Sequence, residues 1–597
     1  MSKRTVIALS LVLLFGFMGL QKEALEHPPI AYHLSWGNPN SHYFHIRMDI
    51  ATTDDAVDVR IPAWRPGRYI LQNYAKDIID FEAADENGAA LPFRKTDKGT
   101  WRIQTNGAET VVVRYKSYAR TLDAGASYLD ETEAYLNPIT ALMYVPGREL
   151  HPVSLTIDKP DGWNVATAMN FNDEPGAYLV ENYHELADSP LIVSPDLETF
   201  AFDYEGARIE IVFQGQGNYD PDKVIEDVRK IVAEQVEVMQ DIPFERYVFL
   251  YHLMPYPMGH GVEHKNSTSI VVGPANFDNP SFYGGFLGVT AHEFFHVWNV
   301  ERIRAEAIYH PDYSTENYTS MMWIHEGITS YYTTLTMARA GLLDTDQYLR
   351  NLAFTLQSYD GNYGRKVTSV AMTSWDSWTK TNEAPPHTYY SFYSAGNVLG
   401  LLLDLEVRGR THNEKSLDDV FRYLNRTYAQ QDRGVPEDGF EKALETVAGS
   451  SFQGFFDAYV YGTEDIDYNA FLQHAGLRLI KSEDPNRPAV RLGTAIGGDD
   501  EQAVIVSVRP ESAAYEAGLD IDDVLLELDG EAITRQNLSR LLTAYQPGDT
   551  ATLTFERRSQ QRQATLHFKN RVNIRYQIQP VDTPSALQQT IMEDWLK

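Results

Sequence analysis

The period of the apolar residues changes partway along the chain, and this change limits the fold more than any other feature. Between residues 27 and 198, short runs such as TWRIQT and TVVVRYKSYA alternate apolar with polar residues, and turn residues separate them. Alternation of this kind predicts an antiparallel β domain. From Gly288 onward, apolar residues recur with a helical period through VTAHEFFHVWNVERI and SAGNVLGLLLDLEVRGR. Because a chain of 597 residues is also too long for one hydrophobic core, we predict a multidomain α+β protein.

Polar stretches and shifts in the pattern divide the chain into segments. KSEDPNRP, residues 481–488, is polar and contains two prolines, so we predict a linker there. The residues after it return to short strands around one or two helices, which indicates a small β/α module. The predicted segments are an N-terminal targeting segment (1–26), an antiparallel β domain (27–198), an α+β region (199–390), a helical domain (391–480), the small module (489–570) and a C-terminal tail (571–597).

The first residues have the pattern of an export signal. Lys3 and Arg4 precede an apolar run from Thr5 to Leu20, after which polar residues return. A basic start followed by a short apolar core is typical of secretory signals, so we expect an exported protein, either periplasmic or secreted. Because no clear cleavage site follows the run, a cleaved signal peptide and a retained N-terminal anchor both remain open.

The rest of the composition excludes several classes of function. The formal net charge is −32, which repels nucleic acid phosphates, and no Lys/Arg block offsets it, so we expect no nucleic acid partner. The chain has no cysteine, which excludes a disulfide framework, thiol catalysis and acylation of a cysteine. Beyond the N-terminal run, no apolar stretch is long enough to span a membrane.

The stretch AHEFFHVW carries the strongest chemical signal. Its residues His292 and His296 are four apart, so on a helix both imidazoles lie on one face and can reach a single ion. Zinc accepts imidazole nitrogen, and Glu293, beside the first histidine, is placed to act as a general base toward water. In a chain with 17 histidines the motif also arises by chance in roughly a few of every hundred such chains, so its context decides.

The stretch WIHEGITSYY supplies the third ligand that the motif lacks. Catalytic zinc takes three protein ligands and leaves one position for water. Glu326 follows His296 by 30 residues, on a segment with helical period and among apolar neighbours, where an unpaired charge would be costly. His325 is a poorer choice, since it projects about 100° away from Glu326 around the helix. We therefore predict a zinc site formed by His292, His296 and Glu326.

Asn299 and Glu301 follow His296 by about one helical turn. Polar groups at this distance often orient a metal ligand through a hydrogen bond. Surface polar residues occur at such positions equally often, so both interpretations of Asn299 and Glu301 remain open.

A second His/Glu stretch, HGVEH at residues 260–264, matches an inverted form of the motif. That motif needs a helix, whereas Pro255, Pro257 and the nearby glycines favour an extended chain. In an extended chain, residues four apart are about 13 Å from each other, too far to share one ion. We therefore predict that His260 and His264 do not form a metal site together.

Several of these stretches together resemble a known family. GVEHKNS, HEFFHVWNVERIR, WIHEGITSYY and YSFYSAGNVLGLLLDLEVR are similar to the M61 peptidases, the glycyl aminopeptidase family of gluzincins. RIPAWRPGRYILQNYAKDIIDF and ASYLDETEAYLN resemble the N-terminal β domain of that family. The resemblance covers nearly the whole chain after the targeting segment. It implies a thermolysin-like catalytic domain at residues 199–390 and a PDZ domain at residues 489–570.

The resemblance also implies roles for the residues of the two helical stretches. His292, His296 and Glu326 match the zinc ligands of the family, which implies one zinc ion per chain. Glu293 matches the catalytic acid/base.

Two further residues take their roles from the resemblance. Tyr393, in YSAG, matches the tyrosine that hydrogen-bonds the oxyanion of the tetrahedral intermediate, although by itself it reads as a core aromatic residue. Glu263, in GVEH, corresponds to the carboxylate with which related aminopeptidases hold the α-amine of a substrate, although by itself it reads as a solvated carboxylate in a Gly-rich turn. The sequence departs from the family at Ala395, where lysine is frequent, so we expect a difference in rate or specificity.

The C-terminal module resembles a PDZ domain of bacterial peptidases. AAYEAGL matches its short helix, DDVLLELDG its next strand and turn, and QNLSRLLTAY its groove helix. Such domains bind an extended peptide as an added strand at a sheet edge. Because RLGTAI matches the expected carboxylate-binding loop poorly, capture of a peptide or C terminus and a purely structural role both remain open.

These expectations combine into zinc-dependent hydrolysis of peptides. The resemblance implies an aminopeptidase that removes small N-terminal residues such as glycine or alanine. Two alternatives remain: a zinc endopeptidase, which uses the same chemistry, and a non-catalytic exported binding protein that uses its PDZ and β domains.

Overall fold

The computed structural model describes residues 29–170, 177–381 and 384–597. The predicted targeting segment, residues 1–26, lies outside these ranges. Within them, no helix has both the length and the apolar character that crossing a membrane requires. The chain divides into a first unit, residues 1–317, and a second unit, residues 318–597.

The first unit begins with the β domain that the alternating runs predict. In the strand Tyr43–Ala51, every second side chain, from Phe44 to Ile50, is buried in the core. Period-two alternation buries one face of a strand, which is why these runs fold as sheets. The elements are β1 (Ile30–Trp36), β2 (Tyr43–Ala51), β3 (Ala56–Arg60), β4 (Ile78–Asp85), β5 (Phe93–Lys95), β6 (Thr100–Gln104), β7 (Thr110–Tyr118), β8 (Tyr128–Leu129), β9 (Ala134–Leu136), β10 (Val153–Ile157), β11 (Asn164–Thr167), β12 (Ala177–Val180), α1 (Tyr183–Ala187) and β13 (Leu191–Ser194).

These strands form three sheets within the described residues. One has the order β12-β10-β1-β2-β7-β4, the second β11-β13-β9-β8 and the third β3-β6-β5. Neighbouring strands are antiparallel except for β1 and β10, which are parallel. The loop between β3 and β4, residues 61–77, contains the stretch PAWRPGRY and leads toward the candidate site of this unit.

The first unit continues with a mixed sheet and the helix that carries the His/Glu motif. The sheet has the order β14-β15-β16-β18-β17, and its edge strand β17 runs antiparallel to β18. The motif helix packs on β17 and β18. It begins at Pro280 because Asn279 caps its first turn and proline needs no hydrogen-bond partner there. The elements are β14 (Glu198–Tyr204), β15 (Ala207–Gly215), α2 (Pro221–Met239), β16 (Arg246–Leu253), β17 (Met258–His264), β18 (Ser267–Gly273), α3 (Pro280–Phe295) and α4 (Glu306–Tyr309).

The second unit begins with the predicted helices. A π-helix, Trp323–Ile328, continues directly into the first of them, and such local widening of a helix is frequent at functional sites. The helices are α5 (Thr329–Arg339), α6 (Thr345–Gly361), α7 (Val370–Trp375), α8 (Ser377–Lys380), α9 (Phe392–Arg410), α10 (Leu417–Thr427), α11 (Gly439–Ala448), α12 (Gln453–Phe455) and α13 (Tyr468–Leu472).

The C-terminal module has the elements that its motifs predict. Its sheet has the order β20-β21-β22-β24-β25, with β23 paired to β22, and two short helices accompany it. β20 lies at the edge of this sheet, where an added strand can pair. The elements are β19 (Leu477–Glu483), β20 (Thr494–Gly497), β21 (Ala503–Val508), α14 (Ala513–Glu516), β22 (Val524–Leu528), β23 (Glu531–Ala532), α15 (Leu538–Leu541), β24 (Thr550–Arg557), β25 (Gln560–His567), β26 (Ile574–Pro580) and α16 (Ala586–Trp595).

The module connects to the helices on both of its sides. Strand β26 follows it and pairs along its full length with β19, which precedes it. The beginning of the segment predicted as a linker therefore lies in a strand, and the segment predicted as a tail consists of a strand and a helix. Neither strand shows a clear alternation in the sequence, because β19 buries only Leu477 and Leu479 and β26 buries only Ile578.

Candidate active site and metal centre

Helix α3 brings the two motif histidines together at its C-terminal end. The ring centroids of His292 and His296 are 4.8 Å apart. The Nδ1 atom of His296 lies 2.6 Å from the backbone carbonyl of Asn299. A carbonyl accepts only from N–H, so this bond leaves the lone pair on Nε2, where a metal ion binds. The residue pair thus provides two imidazole donors on one face, which suits zinc.

The two polar residues beyond the motif, Asn299 and Glu301, are both buried and make different contacts. Asn299 orients His296 through its backbone carbonyl, which accepts the hydrogen bond from Nδ1. Glu301 is buried and accepts a hydrogen bond of 2.8 Å from the Nη2 of Arg304. Burial raises the pKa of Glu301, and the nearby Asp188 raises it further.

Glu293 lies against bare backbone in strand β17. Its side chain is only 5% exposed. A Cβ placed on Gly261 would lie 2.7 Å from the Cγ of Glu293 and would overlap its carboxylate. Real Cβ atoms do not approach so closely, so the absence of a side chain at residue 261 makes room for Glu293.

Glu263 lies on the same strand, two residues beyond Gly261, and therefore on the same face. One carboxylate oxygen of Glu263, one of Glu293 and a ring nitrogen of His296 all lie within 4.8 Å of one another. The predicted solvated turn is wrong at this position, because Glu263 is in β17 and is 5% exposed. The hairpin turn is formed by the next residues, Lys265 and Asn266.

The N-terminal β domain contributes a loop beside Glu263. A Cβ placed on Gly67 would lie 2.8 Å from the Oε2 of Glu263 and 3.1 Å from the Nη1 of Arg65. Gly67 also has a φ of +72°, a conformation that favours glycine. Arg65 is buried and donates from Nη1 to the carbonyl of Pro66 at 2.9 Å. No site role was predicted for this loop, since its resemblance to the N-terminal β domain of the family names no site residue there.

The HGVEH stretch is extended, as predicted, and its two histidines contact different carboxylates. The Nδ1 of His264 lies 2.8 Å from Asp188, and that of His260 lies 3.7 Å from Asp123. Burial lowers the pKa of His260, and the charge of Arg65 lowers it further. The predicted extended conformation of this stretch is confirmed, since residues 260–264 all lie in β17.

In the second unit, two backbones in contact hold Glu326 and Tyr393. A Cβ on Gly327 would lie 2.6 Å from the carbonyl oxygen of Phe392, and one on Gly396 would lie 2.6 Å from the Cα of Gly327. The π-helix and α9 therefore cross where neither has a side chain. The crossing places the residue before Gly327 and the first turn of α9 side by side.

The first turn of α9 presents Tyr393 to solvent. Ser391 caps the helix by accepting from the backbone N–H of Tyr393 at 3.2 Å. The ring of Tyr393 stacks on Phe392, with centroids 4.9 Å apart, and remains 38% exposed. Ala395 is fully buried in the same turn, whereas Glu326 is buried in the π-helix. Position 395, where the sequence departs from the family pattern, therefore faces the packed interior.

The last helix of the chain supports the segment that follows Glu326. The indole N–H of Trp595 donates to the hydroxyl of Tyr331 at 2.8 Å, and this hydroxyl donates to Asp404 at 2.6 Å. Arg339 donates to the carbonyl of Trp595 at 3.0 Å. Tyr331 and Arg339 belong to α5, Asp404 belongs to α9 and Trp595 belongs to α16. These hydrogen bonds therefore connect the C-terminal helix to α5.

Known families match three parts of the chain. Residues 31–195 match the Peptidase M61 N-terminal domain, residues 285–399 match the M61 glycyl aminopeptidase, and residues 476–568 match the PDZ domain. The second match contains the three predicted zinc ligands, Glu293 and Tyr393, whereas Glu263 lies before it.

Solved structures are similar to most of the chain. An aminopeptidase N family protein of Idiomarina loihiensis is 26% identical with a TM-score of 0.86, and the alignment covers 95% of this chain and 100% of that one. An M1 zinc metallopeptidase of Deinococcus radiodurans is 13% identical with a TM-score of 0.45, and the alignment covers 73% of this chain and 94% of that one. No curated protein matches the chain.

Proposed function

Because the chain belongs to the M61 glycyl aminopeptidase family of metallopeptidases, we propose that it is a zinc aminopeptidase that removes glycine or alanine from the N terminus of peptides. The observation that carries this proposal is the cluster of Glu263 with Glu293 and His296. A buried carboxylate at that position provides a binding group for an ammonium directly beside the proposed base.

We assign one zinc ion per chain to His292, His296 and Glu326. The support in the first unit is the pair of imidazoles on one helix face, with His296 held in the tautomer that binds metal. The support for Glu326 is its place within the match to the M61 glycyl aminopeptidase. When bound, zinc polarises the scissile carbonyl and makes water a better nucleophile at neutral pH.

Glu293 and Tyr393 perform the proton and charge steps of the proposed reaction. Glu293 takes a proton from the attacking water and later gives it to the leaving amine. Gly261 leaves room for this carboxylate against strand β17, and a base held in a fixed geometry favours proton transfer. Tyr393 donates a hydrogen bond from its hydroxyl to the oxyanion that develops at the carbonyl.

Glu263 restricts the enzyme to the first peptide bond. Its carboxylate pairs with the α-ammonium of the substrate in a site from which most water is excluded, where charge-assisted hydrogen bonds are strong. Because one oxygen of Glu263 lies within 4.8 Å of one oxygen of Glu293, the proposed base, an amine held at Glu263 leaves only the adjacent carbonyl within reach of the base. The similarity to an aminopeptidase N family protein of Idiomarina loihiensis supports the proposed exopeptidase activity.

Matched peptides test the proposal. Purified protein is incubated with Gly-Ala-Phe and Ala-Ala-Phe, each with a free and with an N-acetylated amine, and the products are separated by chromatography. We expect release of the first residue from the free peptides and none from the acetylated ones, with loss of activity after zinc is chelated. Equal cleavage of free and acetylated peptides would contradict the proposal and favour an endopeptidase.

Two further assignments accompany the proposed activity. The basic and apolar beginning of the chain supports export, which fractionation of the producing cells tests. The PDZ match and the free edge of β20 support capture of a peptide segment, which a fluorescence binding assay with C-terminal peptides tests.

A further inference from the structure

The turn that follows helix α3 contains a strained residue. Val300 has a φ of +128°, a backbone conformation that favours glycine, and its side chain is buried. For a β-branched residue this conformation is a true outlier, so it persists only where neighbouring contacts fix it. Strain of this kind is frequent at functional sites, and Val300 lies four residues beyond the proposed zinc ligand His296.

The two residues that flank Val300 both bond to His296. Before it, the carbonyl of Asn299 accepts from the Nδ1 of His296 at 2.6 Å. After it, the backbone N–H of Glu301 donates to the carbonyl of His296 at 3.1 Å. These two groups belong to the two planar peptide units on either side of Val300, so its φ and ψ alone set their relative orientation. The strained conformation therefore directs both of them back to His296.

Arg304 binds the peptide unit that follows Val300. Its Nε donates to the carbonyl of Val300 at 2.8 Å, and this carbonyl shares its peptide unit with the N–H of Glu301. Its Nη2 donates to the buried carboxylate of Glu301, also at 2.8 Å. Rotation of this peptide unit toward an unstrained conformation would break the bond from Nε. One guanidinium thus stabilises the turn through both the backbone and a side chain.

We infer that Arg304 and Val300 are positioning residues for the metal ion. Arg304 maintains the strained turn, and the turn holds the ring of His296 with Nε2 available to zinc. This assignment rests on the proposed function, which makes His296 a zinc ligand. Replacement of the groups that orient a metal-binding histidine typically weakens metal binding 10- to 100-fold, although these groups do not touch the metal. The alternative is that Arg304 only neutralises the buried charge of Glu301.

Replacement of Arg304 by lysine distinguishes these two roles. Arg304→Lys keeps a positive charge for Glu301, but lysine has no N–H at the position of Nε and loses the bond to the carbonyl of Val300. We expect its zinc affinity, measured by competition with a chromophoric chelator on the folded protein, to fall about 10- to 100-fold. Zinc affinity equal to that of the wild type would overturn the inference.

Glycine at residue 300 is expected to rescue the loss. Glycine adopts a φ of +128° without strain, so the turn no longer depends on Arg304. We expect Arg304→Lys/Val300→Gly to recover most of the lost zinc affinity, and Val300→Gly alone to bind zinc as the wild type does. Arg304→Lys/Val300→Ala keeps a Cβ, and therefore the strain, and is expected to recover none. Equal zinc affinity of the two double variants would overturn the inference.

A neighbouring arginine provides the control. Arg302 lies in the same turn, and its guanidinium donates to other carbonyls, among them that of Lys265 at 2.9 Å. We expect Val300→Gly to restore nothing that Arg302→Lys changes, and an equal rescue of both lysine variants would count against a specific role of Arg304. If Arg304→Lys does not fold, Glu301→Gln/Arg304→Met, which removes both charges of the pair, takes its place in the same comparisons.

Crystal structures of the zinc-free variants test the turn even if the proposed function fails. We expect Arg304→Lys to have a negative φ at Val300 and to lose the bond between the Asn299 carbonyl and His296. Arg304→Lys/Val300→Gly is expected to keep both features of the wild type. An unchanged turn in Arg304→Lys would overturn the inference. If these changes occur but the wild type binds no zinc, the role of the turn in holding His296 is supported and the proposed zinc site alone is contradicted.

Discussion

Gly261 and Glu293 are in contact because strand β17 has no side chain at the point where the Glu293 carboxylate lies. The strand thus forms one wall for the base of the proposed reaction. A glycine at this position weakens a strand, so its presence here has a structural reason beyond the strand itself.

Gly261→Ala is therefore expected to slow hydrolysis without removing zinc. Its new methyl group overlaps Glu293 and displaces the carboxylate from the geometry that proton transfer requires. We expect kcat to fall by about 10²-fold, as for partial loss of a general base. The control is Gly259→Ala on the same face of β17, where a Cβ meets nothing within 4 Å. Normal turnover in Gly261→Ala, or an equal loss in Gly259→Ala, would contradict this explanation.

Zinc analysis tests the proposed ligands. Purified protein is expected to contain about one zinc per chain, and His296→Ala and Glu326→Ala are each expected to lower that content markedly, because each removes one of three protein ligands. Mass spectrometry of metals after dialysis measures it. If Glu326→Ala binds zinc as tightly as the wild type, the assignment of Glu326 as the third ligand is wrong.

Replacement of Glu293 and Tyr393 separates chemistry from binding. Glu293→Gln keeps the size of the side chain and is expected to retain zinc while slowing hydrolysis about 10² to 10⁴-fold. Tyr393→Phe removes one donor to the oxyanion and is expected to lower kcat about 10² to 10³-fold with little change in KM. Steady-state kinetics on a glycyl peptide measures both, and near-normal turnover of Glu293→Gln would remove the proposed mechanism.

Trp595 is expected to be important for stability although it is the third-last residue of the sequence. Its ring is fully buried, and its N–H and carbonyl bond to Tyr331 and Arg339. Truncation of such a ring costs about 3–5 kcal/mol, so Trp595→Ala is expected to lower the melting temperature of the protein. Leu587→Ala changes an exposed residue of the same helix and is expected to leave it unchanged. Equal melting temperatures for both variants would show that α16 does not brace the helices.

Local patterns in the sequence predicted the elements but not the contacts between distant residues. The alternating runs and the His/Glu motif are periodic, so the β domain and helix α3 follow from them. Gly67 approaches Glu263 across 196 residues of chain, and no local period reports such a contact. The glycines around Glu263 indicated a turn, whereas Gly259 and Gly261 both lie in strand β17. The missing side chain of Gly261 leaves room for the Glu293 carboxylate.

The C-terminal residues were missed for a related reason. The segment from residue 571 onward has weak amphipathic character, and β26 pairs with a strand that lies before the PDZ module. Such a pairing is specified by the partner strand as well as by the segment itself, so the segment alone does not reveal it. The predicted roles of Glu326 and Tyr393 depend on the family resemblance, and the Gly327–Gly396 crossing that holds their helices has no local signal either.

The charge of Glu263 is expected to decide exopeptidase activity. Glu263→Gln keeps the shape of the side chain beside Gly67 but removes the partner of the substrate ammonium. We expect kcat/KM on glycyl peptides to fall at least 10-fold, which corresponds to about 1.4 kcal/mol, with the zinc content unchanged.

The KM of the wild type is also expected to depend on pH. The ammonium form of the substrate predominates below its pKa of about 8, so the wild-type KM is expected to rise above that pH. In Glu263→Gln this rise is expected to disappear, because a neutral amide discriminates little between the two forms of the amine. A wild-type KM that is constant from pH 7 to 9, or a Glu263→Gln variant with the same profile as the wild type, would show that Glu263 does not bind the amine.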